Sequence, residues 1–222
     1  MAEMKQLPDL INHQESALQF VQALCCRIPG RCEMLPPSPL AGDALIATQV
    51  TTRSPMGAII YHTGGIVIDH RWLRILGSGR PAEFRSLPDW NRDKANGFWL
   101  VADDAAGGFF ALDGGVLGFE PGHVCYWAPD SLEWMSLKGG YSEFLTWACT
   151  GDLAEFYEDL RWAGWQDEVR SMPLDRCMGF YPFLWTEAGG IEQRRRATVP
   201  VQEALDLKVD VLRQLTSNKV DE

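Results

Sequence analysis

Between Phe98 and Leu137 the chain alternates short apolar runs with tight turns. "FWLVA", "FFAL", "HVCYWAP" and "LEWMSL" are divided by sequences such as "DDAAGG" and "EPGH". Asp makes side-chain hydrogen bonds to its own turn backbone, and Gly supplies positive φ. The pattern therefore predicts an antiparallel meander of short strands. It places Asp103 and Asp104 in a solvent-facing turn, with Gly107 or Gly108 at positive φ. Apolar residues fall on both faces of these strands, so helices are expected to cover much of the sheet.

The flanks carry helical periods. Asn12 and Glu15 have capping-box spacing, and Ala17, Leu18, Val21, Leu24 and Cys25 form one stripe, which predicts a first helix from Asp9 to Cys26. "IPGRCEMLPPSPLAGD" reads as a loop, with Asp43 capping a short helix through Val50. Ser54 at an N-cap, Pro55 in the first turn and Gly64-Gly65 beyond the end bound the next helix. "GIVID" and "WLRILG" follow as strands with Asp69-His70-Arg71 at the bend, and residues 79–97 read as a polar loop. A helix starts at Tyr141 or Ser142 and stops at Gly151. Asp152 caps another that buries Leu153, Phe156, Tyr157 and Leu160. The basic run Arg194–Arg196 precedes a last amphipathic helix marked by Val201, Leu205 and Val209. The expected fold is α+β, a central, mainly antiparallel sheet flanked by helices. It forms one domain over 1–222, with an N-terminal helical arm (1–42), a central core (43–169) and a C-terminal extension (170–222).

A chain of 222 residues is long enough for one sizeable core. Its net charge of −10 is concentrated: residues 97–169 hold 13 acidic side chains against only Lys138 and Arg161, a net of −11. Such a field repels nucleic acid and attracts basic surfaces. No apolar run reaches the ~20 residues of a membrane-spanning helix, and the N-terminus has no secretory pattern, so a cytoplasmic protein is expected. The six cysteines (25, 26, 32, 125, 149 and 177) contain no CxxC pair. Reduced thiols, with no metal site, are the expectation.

No recognisable catalytic or cofactor motif appears. Asp103-Asp104-Ala105-Ala106 lacks the alternating oxygen ligands of a calcium loop, and no Lys follows the glycines as a P-loop requires. Ser78 in "GSG" lacks a nucleophile-elbow sequence. His62 falls near a helix C-terminus, where its cation would meet the dipole favourably. An enzyme reading would rest on Asp103, Asp104 and His123 gathered in a strand-end pocket. A binding reading rests on the helix after Asp152. At helical spacing Asp152, Glu155, Glu158 and Asp159 lie opposite its buried face, and Trp162 falls among them as a candidate anchor for a basic protein partner.

Three stretches, "AIIYHTGGIVIDHRWLRILGSG", "WNRDKANGFWLVADDAAGGFFALDGG" and "VCYWAPDSLEWMSLKGGYSEFLTWACTGDLAEFYEDLRWAGW", together resemble a bacterial family catalogued as a domain of unknown function, over roughly residues 43–200. More distantly, the order of features is similar to the SUKH superfamily. The matching residues are Gly64-Gly65 before a strand, Asp104 with Gly107-Gly108 and Phe110 in a D-x-x-G-x-x-F hairpin, Tyr126-Trp127, and Ser142 with Phe144-Leu145. That resemblance implies an α+β fold and a non-enzymatic interaction module, such as an immunity protein that neutralises a toxin, with no cofactor.

Overall fold

The computed structural model describes residues 4–94 and 96–218. Seven strands form one antiparallel meander in strict chain order. They are β1 (Cys32–Leu35), β2 (Gly65–Ile68), β3 (Leu73–Leu76), β4 (Phe98–Asp104), β5 (Phe109–Asp113), β6 (Val124–Trp127) and β7 (Met135–Ser136). A separate hairpin pairs β8 (Arg176–Tyr181) with β9 (Arg195–Pro200). The helices are α1 (Leu7–Leu10), α2 (Leu18–Cys25), α3 (Ala41–Thr48), α4 (Pro55–His62), α5 (Leu87–Asn91), α6 (Tyr141–Thr150), α7 (Leu153–Phe156), α8 (Trp165–Ser171) and α9 (Val201–Asn218). The α+β class and the central antiparallel sheet agree with the sequence.

Local chemistry explains the elements that were foreseen. The Ser54 hydroxyl accepts from the Gly57 amide at 3.0 Å and caps α4, with Pro55 in the first turn. The β2–β3 bend is made by three consecutive residues in the left-handed region, Asp69, His70 and Arg71, with φ of 52°, 59° and 71°. Strands β2, β3 and β6 are buried along their whole length, because α2, α4 and α6 pack together with α4 against β2 while other segments close the rest.

Several boundaries differ. Asn12 Oδ1 accepts from Gln14 and Glu15 amides at 3.0 and 2.8 Å, which makes a local turn, and the helix itself starts only at Leu18. Asp43 lies inside the first turn of α3 rather than at its cap. The segment read as an N-terminal arm supplies β1, the edge strand paired with β2 through Cys32–Ile68 to Leu35–Gly65. Its flanking prolines and glycines hid a four-residue strand. The polar loop contains α5, capped by the Ser86 hydroxyl on the Asp89 amide. After Asp152, which does cap through the amides of Ala154 and Glu155, the α-helix lasts one turn. A 3₁₀ turn over Glu158–Leu160 follows, and Arg161 is extended.

The largest departure is at the β4–β5 hairpin. Gly107 has positive φ (87°), as expected. The turn, however, is not at the surface: Asp103, Asp104, Ala105 and Ala106 are all at most 3% exposed. The C-terminal extension covers it. Met178 donates its amide to the Ala105 carbonyl at 2.7 Å, and Cys177 and Ala204 lie against Gly107. In the same region the Arg194 guanidinium is buried and donates to the carbonyls of Pro182, Thr186 and Gly189, each at 2.9 Å, so this part of the basic run organises a loop.

Candidate functional site

The residues proposed for an enzyme do not converge. Asp103 sits opposite Arg74 in the β3–β4 register, and the two form an ion pair at 2.6 Å in which each side chain is 1% exposed. Arg85 pairs with the other carboxylate oxygen of Asp103 and stacks over Trp90. Arg74 also donates to the Arg176 and Asp104 carbonyls at 2.5 and 2.7 Å, which ties β3 to the C-terminal hairpin. Two cations therefore hold one buried anion, as burial of charge demands.

Asp104 has a different role. One of its oxygens accepts from the Ala106 and Gly108 amides, both at 2.9 Å, and the other accepts from the Tyr126 hydroxyl at 2.6 Å. Burial raises its carboxyl above the usual range, opposed by the Tyr126 hydroxyl and the Gly108 amide. Tyr126 and Tyr157 are pushed up in turn, first by burial and then by the charge on Asp104. His123 stands at the other end of these strands. It precedes Val124, which pairs with Leu112, whereas Asp103 pairs with Phe109 opposite Trp127. Its ring meets Ser136 Oγ at 3.2 Å and Glu120 at 3.4 Å. The three residues form no common pocket, because strand register separates them.

The remaining singled-out residues have structural partners. Asp113 is buried; burial works against its charge, but amides of Gly115, Val116 and Leu117 prevail and hold its carboxyl low. Ser78 donates to the Thr63 carbonyl at 2.7 Å and accepts from the Ser38 amide at 2.9 Å. At His62, burial lowers the imidazole pKa, with a smaller push from His13, so the expected favourable cation at the helix end is opposed.

Trp162 is a correction. It is 1% exposed, packed on Trp72 at 5.7 Å and Phe180 at 5.6 Å, with the Arg196 guanidinium 5.2 Å over its ring. Arg196 is held there by Glu168 at 2.8 Å. Helical spacing had put Trp162 among the acids, but the helix ends before it and the extended Arg161 turns it inward. Its ring is enclosed by the chain's own side chains. Asp152, Glu155, Glu158 and Asp159 are exposed, and none forms an ion pair among the described residues. The acidic field is smaller than the sequence suggests, since Asp103, Asp104 and Asp113 are buried.

Beside this acidic segment lies a feature that sequence reading missed. A depression of about 230 Å³ is lined by Leu137, Lys138, Gly139, Glu143, Phe144, Trp147 and Phe156, so one cation as well as one carboxylate borders it. Trp147 and Phe156 meet edge to face at 4.7 Å, both half-buried. Glu143 is exposed at its border and Glu155 precedes Phe156 in the chain. The i, i+4 spacing of Glu143 and Trp147 on α6 was the available signal.

Two of the larger cavities have several of their charged groups engaged within the protein. One of about 780 Å³ is bordered by Arg80, Arg85 and Arg92, which pair with Glu83, Asp103 and Asp89. The other, about 480 Å³, is an apolar groove between the β8–β9 hairpin and α9 that includes Phe180, Phe183, Trp185 and Lys208. Lys208 is 2% exposed and donates to the Ala128 carbonyl at 2.5 Å, with its ammonium 4.6 Å over Trp127. Burial pushes it down from 10.5 to about 7.

That depression has a measurable consequence. Below about 7 the lysine is charged in both folded and unfolded chains and its desolvation cost is complete. Between about 7 and 10.5 the unfolded chain holds the extra proton, so this group makes stability rise with pH. Lys208→Met removes the contribution. The difference in urea midpoint between variant and wild type should move in favour of the wild type from pH 7 to pH 9; a difference independent of pH would refute the assignment.

Among the described residues no helix is long and apolar enough to cross a membrane. The chain is 41% identical over 217 residues to the uncharacterized protein YbfG of Escherichia coli K12, covering 96% of this chain and all of that protein. It is 36% identical over 208 residues to an uncharacterized protein of Haemophilus influenzae, covering 90% and 91%. No solved structure matches it. The more distant SUKH likeness gains no support from these matches. A family model described as "Protein of unknown function DUF2625" matches residues 7–204, nearly the whole chain. The chain belongs to the DUF2625 family.

Proposed function

We propose that the chain is a protein-interaction module, immunity-like in acting by binding rather than catalysis, that holds a basic protein partner against the α6–α7 surface. The observation that carries this reading is the aromatic depression of Trp147 and Phe156, with Glu143 and Lys138 on its lining and the exposed, unpaired acids Asp152, Glu155, Glu158 and Asp159 on the segment that supplies Phe156. A half-buried aromatic floor with a carboxylate rim suits an arginine or lysine side chain. The stem lies on the ring, the cation meets its π face, and the surrounding acids set orientation. The site takes the place of the Trp162 anchor.

The test is capture from the native cell on immobilised wild type and on the Glu155→Lys/Asp159→Lys variant in parallel. A partner that supports the reading is basic, is held by the wild type, is lost with the variant, and associates more slowly as salt rises, since exposed charges are screened beyond ~8 Å at physiological ionic strength. Equal capture by both proteins, or binding indifferent to salt, would sink it.

A further inference from the structure

The cysteines, dispersed in sequence, are not dispersed in space. Cys25 is the last residue of α2, Cys32 the first of β1, and Cys149 lies in the final turn of α6. Their three sulfur atoms all lie within 4.8 Å of one another. None is disulfide-bonded. Cys25 and Cys149 are buried and Cys32 is half-buried.

The supports around the cluster are firm. Cys32 is fixed by its pairing with Ile68 across β1–β2. The preceding Arg31 accepts the Asp69 amide on its carbonyl at 2.8 Å. Its guanidinium donates to the Gly151 carbonyl at 2.6 Å, stapling the start of β1 to the end of α6. The backbone contacts that build the sheet edge thus also bring three sulfurs together. Packing alone does not call for it, since isolated buried thiols would fill the same space as small apolar groups.

We propose that Cys25, Cys32 and Cys149 form a three-thiolate site for a soft monovalent metal ion, copper(I). With metal–sulfur bonds near 2.3 Å, a trigonal-planar site places its sulfurs roughly 4 Å apart, inside the spacing observed. Among the described residues no histidine or carboxylate ligand atom joins the three sulfurs. Zinc in structural sites takes four ligands, whereas soft all-sulfur donors favour copper(I). Each thiol that ligates gives its proton to solvent, and the ion keeps its oxidation state.

The experiment titrates the full-length reduced chain with copper(I) in competition with a chromophoric copper(I) chelator, and with zinc in a parallel series. One copper(I) should bind per chain. Cys32→Ser, at the half-buried position and so the least disruptive to folding, should weaken binding at least roughly tenfold, since even outer-shell changes at metal sites cost that much. Cys149→Ser should do the same. Cys26→Ser, at an exposed cysteine outside the cluster, should leave affinity unchanged. Loading should protect three thiols from alkylation in the native state, while the denatured, metal-free chain takes six labels. No copper(I) captured from the chelator, equal affinity in Cys32→Ser, zinc bound in preference to copper(I), or fewer than six labels (a disulfide within the cluster) would each overturn the proposal.

Discussion

Asp103→Asn is expected to destabilise the protein by about 3–5 kcal/mol, the usual cost of removing one partner from a buried ion pair. The carboxylate is 1% exposed and is the anion against which both Arg74 and Arg85 are set. The amide that replaces it carries no charge and presents hydrogen-bond donors where an acceptor is needed. Arg74, itself 1% exposed, has no route to water. Its links to Arg176 and Asp104 mean that strain there reaches both the meander and the C-terminal hairpin. Asp104→Asn makes the contrast. The side-chain oxygen can still accept from the Ala106 and Gly108 amides, and the new amide can donate to the Tyr126 oxygen. Because burial raises the Asp104 carboxyl, its favourable contribution is complete at low pH and is lost as pH rises through the folded-state value; the substitution removes that loss. Urea unfolding near neutral pH should separate the two variants clearly, with Asp104→Asn within about 1 kcal/mol of wild type, the scale of one exchanged hydrogen bond. Equal effects would mean that the Arg–Asp–Arg cluster is not what holds this layer together.

Trp162→Ala should be comparably severe. Truncating a buried tryptophan typically costs about 3–5 kcal/mol through lost transfer energy and the cavity left behind. Here the void would open between Trp72, Phe180 and the Arg196 guanidinium. Loss of that ring also removes the aromatic face that Arg196 covers, so the Glu168–Arg196 pair loses its support on the protein. The Glu155→Lys/Asp159→Lys double substitution should leave unfolding within about 0.5 kcal/mol of wild type, because exposed side chains without partners contribute little. A thermal scan of the two proteins checks both statements. A Trp162→Ala protein as stable as wild type would contradict the packing described.

The sequence by itself determined the elements whose signals are local. The Ser54 cap, the bend at Asp69–Arg71, the Gly107 conformation and the strand–turn alternation from Phe98 are set by neighbouring residues, whereas the left-handed φ of all three bend residues was not legible. The exposed acids after Asp152 were legible for the same reason: charge without an apolar period stays in water. Only the tertiary structure decided what lies over each turn. "DDAAGG" has the composition of a surface hairpin, yet β8, β9 and α9, which lie some 70 residues or more further along the chain, close over it and leave Asp103 between two arginines. Trp162 moved inward because one helix stopped a turn early, a boundary that competes with packing and is weakly marked in sequence. The depression at Trp147 and Phe156 and the meeting of three cysteine sulfurs depend on how α6 packs against its neighbours. Local propensities act over a few residues, whereas burial and charge pairing depend on contacts across the whole chain, so the first could be read in order and the second required the fold.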